Sequence, residues 1–244
     1  MVRTHHSEWA THSLIRTMTT RHSTLHVATK TVVITCLLTI VLSSRAFSDQ
    51  SAQGAIPRNG GAYSDVVRTL EAGETKINYR QFRESFLASE QFRARGARAA
   101  ELDSARKRMH EMMKVSNYPE IIEAAKTIAS IDYTDMEAHK ILQQTYKILG
   151  DAPNQKKHHD IEFGLLNSIV KSGDGKTCQT AWPVIQVTEE YFILEMLGAK
   201  LLKQSVDETG GLCDKMEVET DRGKQVFYFD VRKVFSGYNK QGIR

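Results

Sequence analysis

The sequence predicts an α+β protein in which tetratricopeptide-like helical hairpins precede a small, mostly antiparallel meander sheet of five strands. Two observations carry this prediction. Apolar residues recur at helical spacing over 63–171, and charged and apolar residues alternate at period two from Asp214 to Val231. A Ser-Gly-Asp-Gly stretch at Ser172–Gly175 separates the two patterns. We therefore expect a helical region over 63–171 and an antiparallel strand region over 172–234.

Residues 1–48 have the features of a signal peptide. An uncharged apolar run extends from Thr31 to Leu42, and an Ala-Phe-Ser sequence typical of a cleavage site ends at Ser48. Met18 is an alternative start that would give a leader of ordinary length. The run is shorter than the roughly 20 apolar residues that a membrane span needs, so we expect no stable span after cleavage. We predict an exported protein, periplasmic or secreted; an uncleaved N-terminal anchor is the alternative.

The basic character of the chain belongs to this leader. The whole sequence has 33 Lys and Arg against 29 Asp and Glu, but residues 1–48 hold five of the basic residues and one of the acidic ones. Residues 49–244 therefore carry 28 of each and a net charge of zero. This balance does not support binding to nucleic acid or to an anionic membrane, and we expect no nucleic-acid partner.

The helical region follows a linker, 49–62, whose Gly, Ser and Gln content predicts disorder. Its most regular part begins at Tyr118, where Pro119 suits the first turn of a helix. A four-residue break at 132–135 divides two apolar stripes, and Gly150 ends the second helix. The distance from Asn117 to Asp151 equals the tetratricopeptide period of about 34 residues. A third helix is expected over 152–171.

The Gly-Lys-Thr sequence at 175–177 does not indicate a phosphate-binding loop. A Walker A loop needs a glycine at position 170, which is valine here, and it needs a strand before the loop and a helix after it. The order of elements predicted here is the reverse. Gly173 is instead expected to end the helix and Gly175 to supply a turn.

The strand region contains one clear hairpin and one ambiguous segment. The hairpin joins the period-two segments 214–220 and 225–231 through a turn at 221–224. Between Glu190 and Asp207 the composition suits a helix, whereas the continuous apolar run Tyr191–Leu194 suits a buried strand equally well. Residues 235–244 are expected to form a flexible tail.

Several segments along the chain form a recognisable set: INYRQFRESF (Ile77–Phe86), NYPEIIEAA with the following DMEAH, SGDGKT, TAWPVIQVTEEYFIL (Thr180–Leu194), KQS, CDKMEVE and VFYFDV (Val226–Val231). Together they resemble an exported bacterial family catalogued as domain of unknown function 4919. The resemblance covers about 77–231. It implies helices followed by strands, which favours a strand for the ambiguous segment, and it implies no activity.

Two cysteines, Cys178 and Cys213, remain after the leader, and each lies beside a predicted strand. Disulfides persist in oxidising compartments, so a bridge between them is one interpretation. Two reduced, partly buried thiols are the other, because sequence positions fix no distance.

No pattern predicts a catalytic, cofactor-binding or metal site, and we expect no cofactor. A metal cluster of His139, His158, His159 and Glu162 is one interpretation, because His158 and Glu162 share a helix face and His139 lies on the preceding helix; ordinary surface histidines are the simpler one. Four acidic residues near the predicted strand ends suggest a carboxylate pair for acid–base work, although such acids are usually solvated. The candidate surface comprises His139, His158, Asp174, Glu189, Glu190 and Asp214.

The leading functional hypothesis is a non-enzymatic interaction module whose helices bind another exported protein or peptide. The alternative is a small hydrolase or ligand-binding enzyme with its site at the helix/sheet junction, near 172–177 and Glu189–Glu190. An aromatic groove along the helices would favour the module, and a polar pocket with converging carboxylates and a histidine would favour the enzyme.

Overall fold

The computed structural model describes residues 63–208 and 210–241, so the predicted leader and linker lie outside the described residues. Within those ranges the α-helices are α1 (Tyr63–Glu71), α2 (Tyr79–Ala88), α3 (Glu90–Ala94), α4 (Ala99–Lys114), α5 (Tyr118–Ile131), α6 (Met136–Leu149), α7 (Ala152–Val170), α8 (Val187–Met196) and α9 (Arg232–Gln241). The strands are β1 (Trp182–Pro183), β2 (Lys200–Asp207), β3 (Cys213–Thr220) and β4 (Gly223–Asp230). No helix in these ranges is both long and apolar enough to cross a membrane.

The helical hairpin predicted after Tyr118 is present as α5 and α6. Asp135 caps α6 by accepting a hydrogen bond from the amide of Ala138 at 2.9 Å. Gly150 ends it in the left-handed region, at φ 74°, and the amide of Asp151 bonds the carbonyl of Tyr146. Successive helices from α4 to α7 pack against one another. Membership of the tetratricopeptide family stays a prediction.

The sheet has four strands in the order β1-β4-β3-β2, and it is mixed. β2, β3 and β4 are antiparallel neighbours, whereas the short β1 runs parallel to β4. The predicted β3–β4 hairpin is therefore present, but the prediction of five strands in a mostly antiparallel meander is wrong in detail. A parallel neighbour needs a long crossover, and the chain between β1 and β4 provides one through α8, β2 and β3.

The ambiguous segment Tyr191–Leu194 is helical and lies in α8, so the strand that the family resemblance favoured is wrong. Helix α8 is buried on most sides, with Phe192, Ile193 and even Glu190 enclosed. It therefore has no polar stripe to reveal its period. Gly198 does not interrupt the helix but lies just beyond it, at φ 61°, where its amide bonds the carbonyl of Glu195. Helix α9 occupies 232–241, overlapping the range assigned to a flexible tail.

The helices and the sheet share one hydrophobic core, and a second core lies within the helices. The shared core joins Phe82 on α2, Ile161 on α7, Ile193 on α8 and Phe229 on β4. The second core packs α4, α5 and α6 together, around residues such as Met109. The strand region is thus not independent of the helices, because α2 and α7 complete its core.

The loop after α7 is packed against the sheet. The carbonyl of Gly173 accepts a hydrogen bond from the indole of Trp182 at 3.0 Å, and the carbonyl of Gly175 accepts one from the amide of Tyr228. Gly175 has φ 66°, and a Cβ there would lie 2.8 Å from the Trp182 ring. Only glycine meets both conditions, so this loop is a structural connection.

Candidate functional site

A groove of about 590 Å³ runs along the helices, and we call it the helical groove. It is lined by Tyr63, Ser64, Val67, Arg68, Glu71, Gln91, Lys126, Ala129, Ser130, Tyr133, Leu142, Tyr146, Asn154, Lys157 and His158. These residues come mainly from α1, α5, α6 and α7. Three of them are buried tyrosines, and the ring of Tyr146 stacks on that of His158 at 5.7 Å. The volume suits a drug-sized ligand or a short peptide.

Positive charge predominates in the lining of the helical groove. Glu71 is the only carboxylate among the described residues of the lining, and it is held by Lys157 at 3.0 Å and by the hydroxyl of Tyr133 at 2.5 Å. Arg68 pairs with Asp65 on the same helix. Lys126 is exposed, and no acidic side chain in the described part of the chain pairs with it. The groove therefore offers at least one unneutralised cation beside an aromatic surface.

His139 and His158, two of the predicted candidates, meet at the base of this groove. Their Nδ1 atoms lie 2.9 Å apart, and Nε2 of His139 lies 2.9 Å from the carbonyl oxygen of Tyr133. His139 is fully buried and His158 is 4 % exposed. Burial lowers the pKa of His139, and burial together with His139 and Lys157 lowers the pKa of His158 to about 2. Both rings are therefore neutral.

The metal interpretation of these histidines has no support in the geometry. The two Nδ1 atoms are at hydrogen-bonding distance and face each other. Glu162 is nearly buried, and burial raises its pKa, which favours the neutral acid over a ligating carboxylate. No group of three or more His, Cys, Asp or Glu side chains in the described ranges is arranged to hold a metal ion.

A second cavity, of about 440 Å³, lies at the helix/sheet junction and contains several carboxylates. Each of them already has a cationic partner. Arg106 bonds both Asp135 and Glu137, and Lys140 bonds Glu195 at 2.7 Å. Glu189 also lines this cavity but is paired with an arginine from α2. A general base needs a free carboxylate with a suitable pKa, and these four are held in ion pairs.

The pair formed by Arg83 and Glu189 is buried and fully bonded. Nε and Nη2 of Arg83 lie 2.8 and 2.6 Å from the two oxygens of Glu189. Arg83 also donates to the carbonyl of Pro183, and Glu189 accepts from the amide of Ile185 at 2.7 Å. Both side chains are 3 % exposed. The pair thus joins α2 to the start of α8 and is structural.

Glu190, the next residue, is buried without a donor. It is fully enclosed, and neither of its carboxyl oxygens has a hydrogen-bond partner. Burial, reinforced by Asp214 and Glu189, raises its pKa to about 9. The group it meets is the carboxyl of Asp214, another acceptor, so only a protonated Glu190 can donate a hydrogen bond to it. Glu190 lines neither of the cavities described above.

The predicted acidic cluster is therefore only partly assembled. Glu190 and Asp214 come together, and Asp214 also accepts a hydrogen bond from the amide of Gln204 at 2.5 Å. Glu189 is adjacent but turned to Arg83. Asp174 is instead exposed in the junction loop, where a hydrogen bond from Thr180 lowers its pKa. It acts as a turn residue.

Cys178 and Cys213 are joined in a disulfide, with Cα atoms 5.8 Å apart. The bridge ties the 3-10 turn before β1 to the first residue of β3. Of the two interpretations of these cysteines, the structure therefore has the bridged one. Because no histidine approaches the pair in the described ranges, it provides no nucleophile.

A polar contact between the helical hairpin and the strand region was not foreseen from the sequence. Asp132 is almost wholly buried, accepts a hydrogen bond from Gln186 at 2.7 Å and caps the amide of Thr134. Arg95 lies 3.8 Å from the same carboxylate. From the sequence, Asp132 is expected only in the break between two helices. Its partners Gln186 and Arg95 are far away along the chain, so no local pattern predicts these contacts.

The groove residues were also missed, because their signals are those of ordinary packing. Tyr133 lies in the predicted break at 132–135 and Tyr146 in the second apolar stripe, and no pattern in the sequence singles out Lys126. Only the fold brings these positions together with α1 around one cavity.

Comparison of the chain with known protein families gives a match. A family profile described as Domain of unknown function (DUF4919) matches residues 62–240. No curated protein and no solved structure matches the chain. The profile covers nearly all of the described residues, including every helix that lines the helical groove. The chain therefore belongs to the family Domain of unknown function DUF4919.

Proposed function

We propose that this protein is a non-enzymatic binding module whose helical groove takes up a short peptide segment bearing an acidic group. The observation that carries the proposal is the composition of the groove: buried tyrosine and histidine rings beside Lys126 and Lys157. Aromatic surfaces bind the apolar parts of a peptide, and lysines attract a carboxylate. The volume of about 590 Å³ admits a few residues of an extended chain.

The alternative of a hydrolase at the helix/sheet junction has less support. The carboxylates of the junction cavity are each engaged by Arg83, Arg106 or Lys140. Glu190, whose pKa burial raises to about 9, is enclosed. A perturbed pKa indicates a functional site only when substrate can reach the group.

We also propose export. The apolar run with its cleavage sequence and the Cys178–Cys213 disulfide both support this, because disulfides persist mainly in oxidising compartments. The full chain, expressed in a bacterial host, is expected to appear in the periplasm or medium with residues 1–48 removed and no free thiol on Cys178 or Cys213. A cytosolic chain of full mass with free thiols would contradict the proposal.

Binding is tested with a randomised heptapeptide pool, prepared once with free C-terminal carboxylates and once amidated. The full chain, purified as the host produces it, is used for selection, and the enriched peptides are measured by calorimetry. We expect peptides that combine an aromatic or aliphatic residue with a carboxylate. Failure to enrich any peptide would overturn the proposed function.

Charge reversal locates the site. Lys126→Glu replaces the unpaired cation of the groove. It is expected to lower the affinity for the enriched peptides by about tenfold. Lys107→Glu is the matched control, because Lys107 is equally helical and exposed but lies on α4 outside the groove. Equal affinities for wild type and Lys126→Glu would show that the peptides bind elsewhere.

A further inference from the structure

We infer that His158 is a fixed hydrogen-bond acceptor of the helical groove, and that the bound peptide must present a backbone N–H group to its Nε2 atom. This inference rests on the proposed function and names the ligand group that the groove selects. It is carried by the chain of hydrogen bonds from Tyr133 through His139 to His158, which leaves one ring nitrogen of His158 unused.

The first bond of this chain fixes the tautomer of His139. Its Nε2 lies 2.9 Å from the backbone oxygen of Tyr133, and a carbonyl oxygen only accepts hydrogen bonds. Nε2 of His139 therefore carries the proton. In a neutral ring the other nitrogen, Nδ1, is then an acceptor.

The second bond transmits this choice to His158. Nδ1 of His139 needs a donor, and the atom 2.9 Å away is Nδ1 of His158. That atom must carry the proton of His158, so Nε2 of His158 keeps a free lone pair. A charged His158 would lose this lone pair, but the ring is buried and has Lys126 and Lys157 as its neighbouring charges.

Nε2 of His158 is open to a ligand. His158 lines the helical groove, and no described residue bonds its Nε2. The fully enclosed polar atoms without a partner, all in the described ranges, belong to Arg95, Gln186 and Glu190, and Nε2 is not among them. The ring is held in place by stacking on Tyr146.

Several other polar groups of the groove already have hydrogen-bond partners, whereas Nε2 of His158 has none among the described residues. The hydroxyl of Tyr63 accepts a bond from the amide of Tyr133, whose own hydroxyl donates to Glu71. The amide of Asn154 donates to Asp151. The lysines attract an anion, but an anion without an adjacent hydrogen-bond donor would displace water and leave Nε2 of His158 without a partner. A peptide segment supplies both, since every non-proline residue has an N–H group.

The tautomers are tested first, on the free wild-type chain labelled with nitrogen-15 histidine. Long-range proton–nitrogen correlation spectra are expected to show neutral rings at about neutral pH, with the proton on Nε2 in His139 and on Nδ1 in His158. A proton on Nε2 of His158 would overturn the inference. This measurement needs no ligand, so it can fail while the proposed function stands.

The ligand group is tested with an N-methyl scan of the tightest peptide from the heptapeptide pool. Methylation of one backbone nitrogen is expected to weaken binding to wild type by about tenfold. The same change should have little effect on His158→Phe, which keeps the ring and removes the acceptor. His159→Phe is the matched control, because His159 is the exposed neighbour on α7 and does not line the groove.

A scan in which no methyl group weakens binding to wild type would overturn the inference and leave peptide binding intact. Equal losses in wild type and His158→Phe would do the same, because the sensitive N–H would then bond another group. If His158→Phe does not fold, the wild-type scan and the histidine spectra still decide the matter. On binding, the nitrogen-15 signal of His158 Nε2 is expected to shift, and an unchanged signal would contradict the predicted bond.

Discussion

His158 in the helical groove and Glu190 on α8 are both buried, and burial shifts the pKa of both towards the neutral form. They differ in what surrounds their polar atoms. His158 gives one nitrogen to His139 and lines a cavity of about 590 Å³ with the rest of its ring. Glu190 meets only another carboxyl and is enclosed. A shifted pKa therefore indicates that a group is buried, whereas a binding site must also be accessible to its ligand.

Two adjacent residues of α8 also differ in what surrounds their side chains. Glu189 and Glu190 lie in the first turn of one helix, but Glu189 is paired with Arg83, while Glu190 meets Asp214 on β3. The region around α8 therefore contributes stability and the helical groove contributes recognition. Substitutions around α8 should change unfolding and leave peptide binding unchanged.

Arg83→Met should have the largest effect on stability, because it leaves Glu189 as an uncompensated buried charge. We expect a loss of about 3–5 kcal/mol in the free energy of unfolding, measured by urea denaturation. The double variant Arg83→Met/Glu189→Leu should lose clearly less. Arg232→Met, which breaks an exposed arginine–carboxylate pair with Asp230, is the control and should cost under about 1 kcal/mol. Similar losses for Arg83→Met and Arg232→Met would show that the buried pair is not structural.

Removal of the disulfide should come next. The bridge closes a loop with a sequence separation of 35 residues, and chain-entropy arguments give about 3–4 kcal/mol for such a loop. Cys178→Ala/Cys213→Ala should therefore unfold at lower urea concentration while the affinity for the selected peptide stays the same. A loss of affinity in the folded variant would contradict the separation of the two regions.

Glu190→Gln should stabilise the protein, and increasingly so as the pH rises. Burial raises the pKa of Glu190 from its ordinary value of 4.5 to about 9 in the folded chain, so between these pH values the native state binds one proton more than the unfolded state. Wild-type stability should then fall with rising pH, by up to about 1.4 kcal/mol per pH unit. Glutamine does not titrate, and its gain should reach at least about 2 kcal/mol near pH 8.

The control for this pH dependence is Glu195→Gln on the same helix. Glu195 is exposed and paired with Lys140, so its variant should follow the wild-type curve. Parallel stability curves for wild type and Glu190→Gln would mean that Glu190 is ionised in the folded chain and that the enclosed site is solvated.

The smallest effect is expected in the junction loop. Gly175→Ala forces a Cβ to within 2.8 Å of the Trp182 ring at a positive φ, and we expect a loss of about 1–3 kcal/mol in thermal or urea unfolding. Gly223→Ala has a positive φ too, but a Cβ there meets nothing within 4 Å, so about 1 kcal/mol is expected. Equal losses would show that the Trp182 contact does not matter.

Local sequence signals predicted the helices and the hairpin well. Helix α5 begins at Tyr118 and ends at Ile131, and α6 ends at Leu149, because Pro119, Asp135 and Gly150 act within a few residues of the chain. The β3–β4 hairpin likewise follows from its alternating pattern and its turn. These elements carry their own boundary residues.

The wrong secondary-structure predictions fall in segments whose burial conceals the periodicity of apolar and polar residues. Helix α8 is enclosed by the sheet and the helices, so its continuous apolar run Tyr191–Leu194 suits a strand as well as a helix, and the two-residue β1 is too short for any pattern. The candidate site was predicted only in part. His139 and His158 belong to the predicted candidate surface, as metal ligands or surface residues, but Lys126 and the tyrosines do not, because no local pattern shows that residues of α1, α5, α6 and α7 line one cavity.

The central claim is that ligand binds in the helical groove and not at the helix/sheet junction. Amide chemical-shift mapping during titration with the tightest selected peptide tests it most directly. We predict that the largest shifts centre on Tyr63, Lys126 and His158. Largest shifts around Arg106, Glu137 and Glu195 would place the ligand in the junction cavity and contradict the account.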